Sequence, residues 1–151
     1  MGQERNAWFT GAASTSYETT FPSVVKQLQQ ITGVHIDSEL LRKFLPHSSY
    51  LNIDEVENIE KAWQSVAAKI GVTAAELKGN ILPMSALYSV AEHSRSLLVA
   101  LSDGMLPSNV AGGYNLRVIL RRALSFLQHY GWNVELQKLM ELHAAYLKPQ
   151  F

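Results

Sequence analysis

Residues 84–104 read MSALYSVAEHSRSLLVALSDG, with Pro83 immediately before them. Leu87, Val90, Ala91, Leu97, Leu98 and Leu101 fall at helical spacings and give an apolar face broad enough to cover most of the circumference. The spacing predicts a long, largely buried helix, opened by Pro83 and stopped by Asp103-Gly104. Glu92, His93 and Arg95 interrupt its apolar face. Such a helix must be covered by other elements, and the flanking sequence decides which.

Upstream, the candidates are helical. LNIDEVENIEKAWQSVAAKIG, residues 51–71, places Ile53, Val56, Ile59, Ala62, Trp63, Val66 and Ile70 three and four apart, with Gly71 as the stop. Asp54, Glu55 and Glu57 are expected in its first turn, where the helix dipole favours negative charge. Thr73 with Glu76 reads as a capping-box pair for a separate short helix ending near Gly79. Asp37 or Ser38 can cap a short helix through Leu45, halted by Pro46. Pro22 suits a first helical turn, and Val24, Val25, Leu28 and Ile31 share a face ahead of Gly33. AASTSYETT, residues 12–20, reads as a loop. The first eleven residues are helix-compatible up to Gly11 and carry no capping residue ahead of them, as expected of a piece of something longer.

Downstream, Tyr114–Tyr130 is expected to be a helix broken by Gly131, and 133–147 the last one before Pro149. No internal repeat or sustained alternating pattern occurs. The fold class is all-α, a bundle of about six to eight helices.

Composition agrees and excludes other classes. The chain has 151 residues, 47% of them apolar, enough for a sizeable core. Its 13 basic and 13 acidic residues cancel, so any nucleic-acid site must be local. There is no cysteine, hence no disulfide and no thiolate metal site. No apolar run approaches the about 20 residues of a membrane span, and no signal peptide is visible, which together suggest a cytoplasmic setting. His35, His47, His93, His129 and His143 include no pair four apart, so no metal ligand set is called, and no nucleophile elbow is present. Trp63 and Trp132 read as packing residues.

The segment after the long helix, DGMLPSNVAGG at 103–113, is expected to be an extended loop, longer than the about 2 to 8 residues that bundle connections use. Gly112-Gly113 would supply backbone freedom at the entry to the next helix. Asn109 stands out because a carboxamide offers donors and an acceptor together, as reading a base edge requires. Arg117 and Arg121 stack on one helical face with Arg122 beside them. The arginine fork matches phosphate. Spacing leaves two readings open: a phosphate or nucleic-acid surface, or arginines that are plain surface charge or pair with acids elsewhere, such as Glu92.

These blocks resemble a known family. AEHSR at 91–95, DGMLPSN at 103–109, GY at 113–114 and LRVILRRA at 116–123 are similar, in order and spacing, to the tRNA-recognition region of alanyl-tRNA synthetases. GQER at 2–5 followed by Ala7-Trp8 resembles the tail of class II motif 3, and TSYETTFPSVV at 15–25 the segment after it. The long separation of Arg5 from His93 is similar to that of archaeal-type members. Gln3, Asn6, Glu92, Ala111-Gly112 and Val118 depart from the family pattern; Asn109 and the paired arginines do not.

The resemblance implies a fragment: residues 1–20 as a remnant of the catalytic domain and residues 21–151 as a helical tRNA-recognition domain, incomplete at its end. It implies a parent enzyme that joins alanine to tRNA(Ala) using ATP and magnesium, with no catalytic residue in this stretch alone. Arg5 would contact ATP phosphate. Asn109 and Ser108 would meet the G·U wobble pair of the acceptor stem, and Arg95, Arg117, Arg121 and Arg122 the stem. The missing catalytic and C-terminal parts of the synthetase would be the protein partners. The competing reading is a helical interaction or scaffold module without RNA binding.

Overall fold

The computed structural model describes residues 2–11, 13–35, 37–51 and 58–148. Among them every regular element is helical: α1 (Gln3–Gly11), α2 (Ser16–Thr20), α3 (Pro22–Thr32), α4 (Ser38–Phe44), a 3-10 segment (Leu45–Leu51), α5 (Ile59–Ile70), α6 (Ala74–Ser102), α7 (Ala111–His129) and α8 (Leu136–Leu147). The all-α class stands. The chain forms two compact units, one of Met1–Val34 with Ala86–Phe151 and one of His35–Ser85.

In the smaller unit, Asp37 caps α4 by accepting from the amides of Glu39 and Leu40, each at 3.0 Å. Asn58 caps α5 through the Lys61 amide at 3.1 Å. The helix therefore starts later than the apolar spacing suggested. Its first-turn acid is Glu60, and Asp54, Glu55 and Glu57 precede the cap; they lie outside the described residues, as do Ile53 and Val56. Phe44 stacks on Trp63 with ring centroids 6.3 Å apart, and Leu40, Leu41, Val66, Ala67, Leu77, Ile81 and Met84 complete the core. Glu60 pairs with Lys78 at 2.6 Å.

α6 corrects two expectations. Thr73 does cap it, accepting from the Glu76 amide at 3.1 Å, but the helix neither ends near Gly79 nor restarts at Pro83. Pro83 sits inside one continuous helix. An interior proline costs about 3 kcal/mol because it lacks the amide that would bond residue 79. Burial outweighs that: Leu77 and Ile81 before it, and Met84, Leu87, Val90 and Ala91 after it, are all buried, at about 1.5–3 kcal/mol for each large side chain.

In the larger unit, α3 lies against α8 and α2 adjoins both α1 and α3. The Ser/Thr-rich stretch is not all loop. Thr15-x-x-Glu18 closes the start of α2, with the Thr15 amide donating to the Glu18 carboxylate at 3.4 Å. Tyr17 then stacks on Tyr88 at 4.7 Å, and the Tyr88 hydroxyl donates to Glu18 at 3.3 Å. Burial is the main cause pushing the Tyr88 phenol up to about 12.

His143 is the polar centre of this unit. It is 2% exposed, its Nε2 is 2.9 Å from the Ala91 carbonyl and 3.0 Å from the Ser94 hydroxyl, and its ring meets Phe21 edge-on at 5.6 Å. The Ser94 hydroxyl itself donates to the Ala91 carbonyl at 2.9 Å. Only a proton on Nε2 satisfies all three contacts, so the imidazole donates and ties α8 to α6. α8 itself starts at Leu136, three residues later than the spacing suggested, because the Val134 amide turns back onto the Trp132 carbonyl at 2.9 Å and Glu135 is the extended N-cap residue.

Candidate nucleic-acid interface

α6 ends in a Schellman arrangement. Gly104 adopts φ 84°, its amide bonds the Leu101 carbonyl at 3.0 Å, and the Met105 amide bonds that of Ala100 at 2.9 Å. Every residue from Leu101 to Val110 is exposed. The connection is residues 103–110, shorter than the sequence reading and within the usual length of helix connections, because Gly112 and Gly113 lie in the first turn of α7 rather than in the loop.

Gly113 is what closes the loop. A Cβ there would lie 2.2 Å from the Ser108 hydroxyl oxygen and 2.7 Å from the Leu106 carbonyl oxygen. The loop backbone therefore folds against the helix start, and the Ser108 amide donates to the Gly113 carbonyl at 3.0 Å. The Ser108 hydroxyl donates to the Val110 carbonyl at 3.1 Å. Ser108, expected at the RNA, has its hydroxyl engaged in shaping the loop. The glycine pair was legible in sequence; its role as a contact surface was not.

Ala111 opens α7 with φ 48°, the left-handed region that costs a residue with a Cβ about 1–2 kcal/mol. Ala111→Gly is expected to stabilise the protein by about 0.5–1 kcal/mol, after the added freedom of the unfolded chain is subtracted. Thermal unfolding followed by circular dichroism checks this; a lower Tm would show that the backbone there is not strained.

From this turn the basic helix follows. Leu116, Ala123 and Leu127 are buried and fix the inward face of α7. Tyr114, Arg117 and Arg121 are exposed and share the outward side at helical spacing, whereas Arg122 lies about 100° further round. Arg117 Nη1 donates to Asn109 Oδ1, joining loop and helix. Among the described residues the ion pairs are Lys43–Glu39, Lys78–Glu60 and Lys138–Glu135, so none of these arginines is neutralised by a carboxylate. Pairing with acids such as Glu92 is not seen among the described residues, which leaves unpaired surface charge and a phosphate-contacting surface as the two readings of these arginines.

Arg95 stands in different surroundings. It is half-buried, its guanidinium lies 5.4 Å from the Phe21 ring centroid, and it lines a cleft of about 590 Å³ with Glu4, Tyr17, Glu92, Asp103 and Met105. His93 is half-buried as well. Burial pushes its imidazole below the usual range and the nearby Arg122 charge adds to that, while Glu92 opposes it. Arg5 is exposed on α1. Trp63 is a core residue, and Trp132 is half-buried and stacked on Tyr130 at 4.7 Å.

A family model described as tRNA synthetases class II (A) matches residues 1–151. The chain belongs to the class II alanyl-tRNA synthetase family. It is 41% identical over 142 residues to the alanine–tRNA ligase of Methanocella arvoryzae, covering 94% of this chain and 16% of the relative. It is 34% identical over 150 residues to those of Methanosphaera stadtmanae and Nitrosopumilus maritimus, covering 99% of this chain and 17% of each relative. The alanyl-tRNA synthetase resemblance thus holds with archaeal members across nearly the whole chain, which spans about one-sixth of their length. No helix among the described residues is long and apolar enough to cross a membrane.

Proposed function

We propose that this chain binds the acceptor stem of tRNA(Ala) and helps recognise its G·U wobble pair, as part of a cytoplasmic enzyme that joins alanine to tRNA using ATP. The observation that supports this most is the exposed Asn109, bonded to the head of a helix whose outward arginines have no carboxylate partner among the described residues.

Wobble pairing displaces the bases and leaves the guanine amino group without its usual partner in the minor groove, which in A-form RNA is wide and shallow. A carboxamide oxygen accepts from that amino group and supplies specificity. Arg117, Arg121 and Arg122 supply affinity by contacting phosphates, which carry no sequence information. Arg95, covered by Phe21 and facing a cleft, would reach the stem only at its edge. Residues 1–20 are read as the end of a catalytic domain, with Arg5 as this chain's contact to ATP phosphate. ATP and its magnesium belong, in this reading, to the parent enzyme.

The test is binding of this chain to acceptor-stem minihelices that differ only in G·U against G·C. Wild type is expected to prefer the wobble stem by about tenfold, and Asn109→Ala to erase that preference. Arg121→Ala should weaken both stems alike and lower the salt slope by about one. A preference unchanged in Asn109→Ala would sink the assignment. Leu106 and Val110, 71% and 72% exposed in the same loop, favour a second reading as a protein-interaction module. Absence of stem binding even at low salt would favour it, or would mean that the missing part of the recognition domain is needed.

A further inference from the structure

We infer that Arg117 sets the orientation of the Asn109 carboxamide, which makes it a specificity-determining positioning residue as well as a phosphate contact. This rests on the reading of the site given above. A carboxamide has an acceptor edge and a donor edge, and a half-turn about its last torsion exchanges them. With the oxygen correctly placed, Asn109 accepts from the guanine amino group. Flipped, it would set two N–H donors against that amino group, which also donates, and the wobble pair would be repelled.

Arginine carries donors only, so the edge that faces it must be the oxygen. Arg117 Nη1 donates to Asn109 Oδ1. A flip would bring the Asn109 amino group against a cation, so one orientation is held before any RNA arrives. The bond is charge-assisted, about twice as strong as a neutral one. It reaches from an exposed loop to a helix anchored by Leu116, Ala123 and Leu127, which lends the loop amide the rigidity of the core.

Nothing needed for recognition is used up. Oδ1 keeps a second lone pair for the guanine amino group, Nδ2 keeps both hydrogens for a uracil oxygen or ribose hydroxyl, and Arg117 keeps its other donors for phosphate. Arg121, one turn further on the same face, has no hydrogen bond to Asn109 among the described residues and isolates the effect of charge alone.

Two measurements on this 151-residue chain decide the matter. In minihelix binding, Arg117→Ala is expected to lose both affinity and the preference for G·U, the G·U to G·C ratio falling from about tenfold to about one, as in Asn109→Ala. The double variant should show no smaller ratio than Asn109→Ala alone, because the two residues act as a unit. Arg117→Ala that weakens both stems equally and keeps the ratio, as expected of Arg121→Ala, overturns the inference. In the free chain, the Asn109 side-chain amide resonances should shift in Arg117→Ala and stay in place in Arg121→Ala. Unshifted resonances overturn it too. If wild type does not distinguish the stems, the reading of the site fails, and the amide resonances still decide whether Arg117 holds Asn109.

Discussion

Gly113→Ala is expected to weaken binding to the G·U stem by about 10- to 100-fold and to erase discrimination, while the helices stay folded. The added methyl would sit 2.2 Å from the Ser108 hydroxyl oxygen, 2.9 Å from its Cβ and 2.7 Å from the Leu106 carbonyl oxygen. The hydroxyl can rotate away, but a backbone carbonyl moves only with its loop. The bond from the Ser108 amide to the Gly113 carbonyl then breaks, and Asn109, the next residue, is carried off Arg117. Alanine is meanwhile the better helix former by about 1 kcal/mol, so α7 gains locally what the loop loses. Minihelix binding together with circular dichroism separates the two consequences. A folded Gly113→Ala protein that keeps its preference for the wobble stem would show that loop closure does not place Asn109.

The second large effect concerns stability. His143→Ala removes the donor to Ala91 and opens a cavity against Phe21, at a cost of about 3 kcal/mol and a fall in Tm of about 10 °C. His143 also makes stability depend on pH. Burial pushes its imidazole down to about 4, with the Arg95 charge acting in the same direction and the Ala91 hydrogen bond opposing them. The folded state therefore favours the neutral ring. Its contribution is fully present above the unfolded value of about 6.5 and is lost as pH falls toward 4, because the unfolded chain takes up the proton first; the loss is at most roughly 3 kcal/mol. Denaturant melts at pH 7, 5.5 and 4.5 should show wild type losing more stability over this range than His143→Leu. Equal slopes would mean that the ring takes up its proton as readily in the folded state as in the unfolded chain.

Local signals in the chain account for much of what is observed. Pro22 and Gly33 bracket α3, Asp37 caps α4, Gly71 ends α5 and Gly104 ends α6, because capping and left-handed turns are decided by residues next to them in sequence. The places where local signals misled are those where burial overrode them. Pro83 reads as a helix start, yet apolar side chains buried on both sides hold one helix through it. AASTSYETT reads as a loop, yet the stacking of Tyr17 on Tyr88 gives α2 a tertiary anchor.

The candidate site divides in the same way. Asn109 and the arginine pair were legible as candidates from residue type and a spacing of four, which left their role open, and the family resemblance of the blocks around them implied that role. The closure of the loop against Gly113, the engagement of Ser108 and the bond from Arg117 to Asn109 depend on where the chain folds back. Arg95 looks like one more basic residue in sequence, and only the packing of α2 and α6 places it over Phe21. His143, noted in sequence only as a histidine with no metal-ligand partner at helical spacing, became the buried clamp because Ala91 and Ser94 present a carbonyl and a hydroxyl to it from a helix about fifty residues away. The all-α class, caps such as Asp37, Gly33, Gly71 and Gly104, and Asn109 as the candidate reading residue are legible in the sequence by itself, the first two because they rest on neighbours along the chain and the last through the family resemblance. Which arginine holds that residue, and in which orientation, was decided only by tertiary structure, since a hydrogen bond between loop and helix exists only once both are in place.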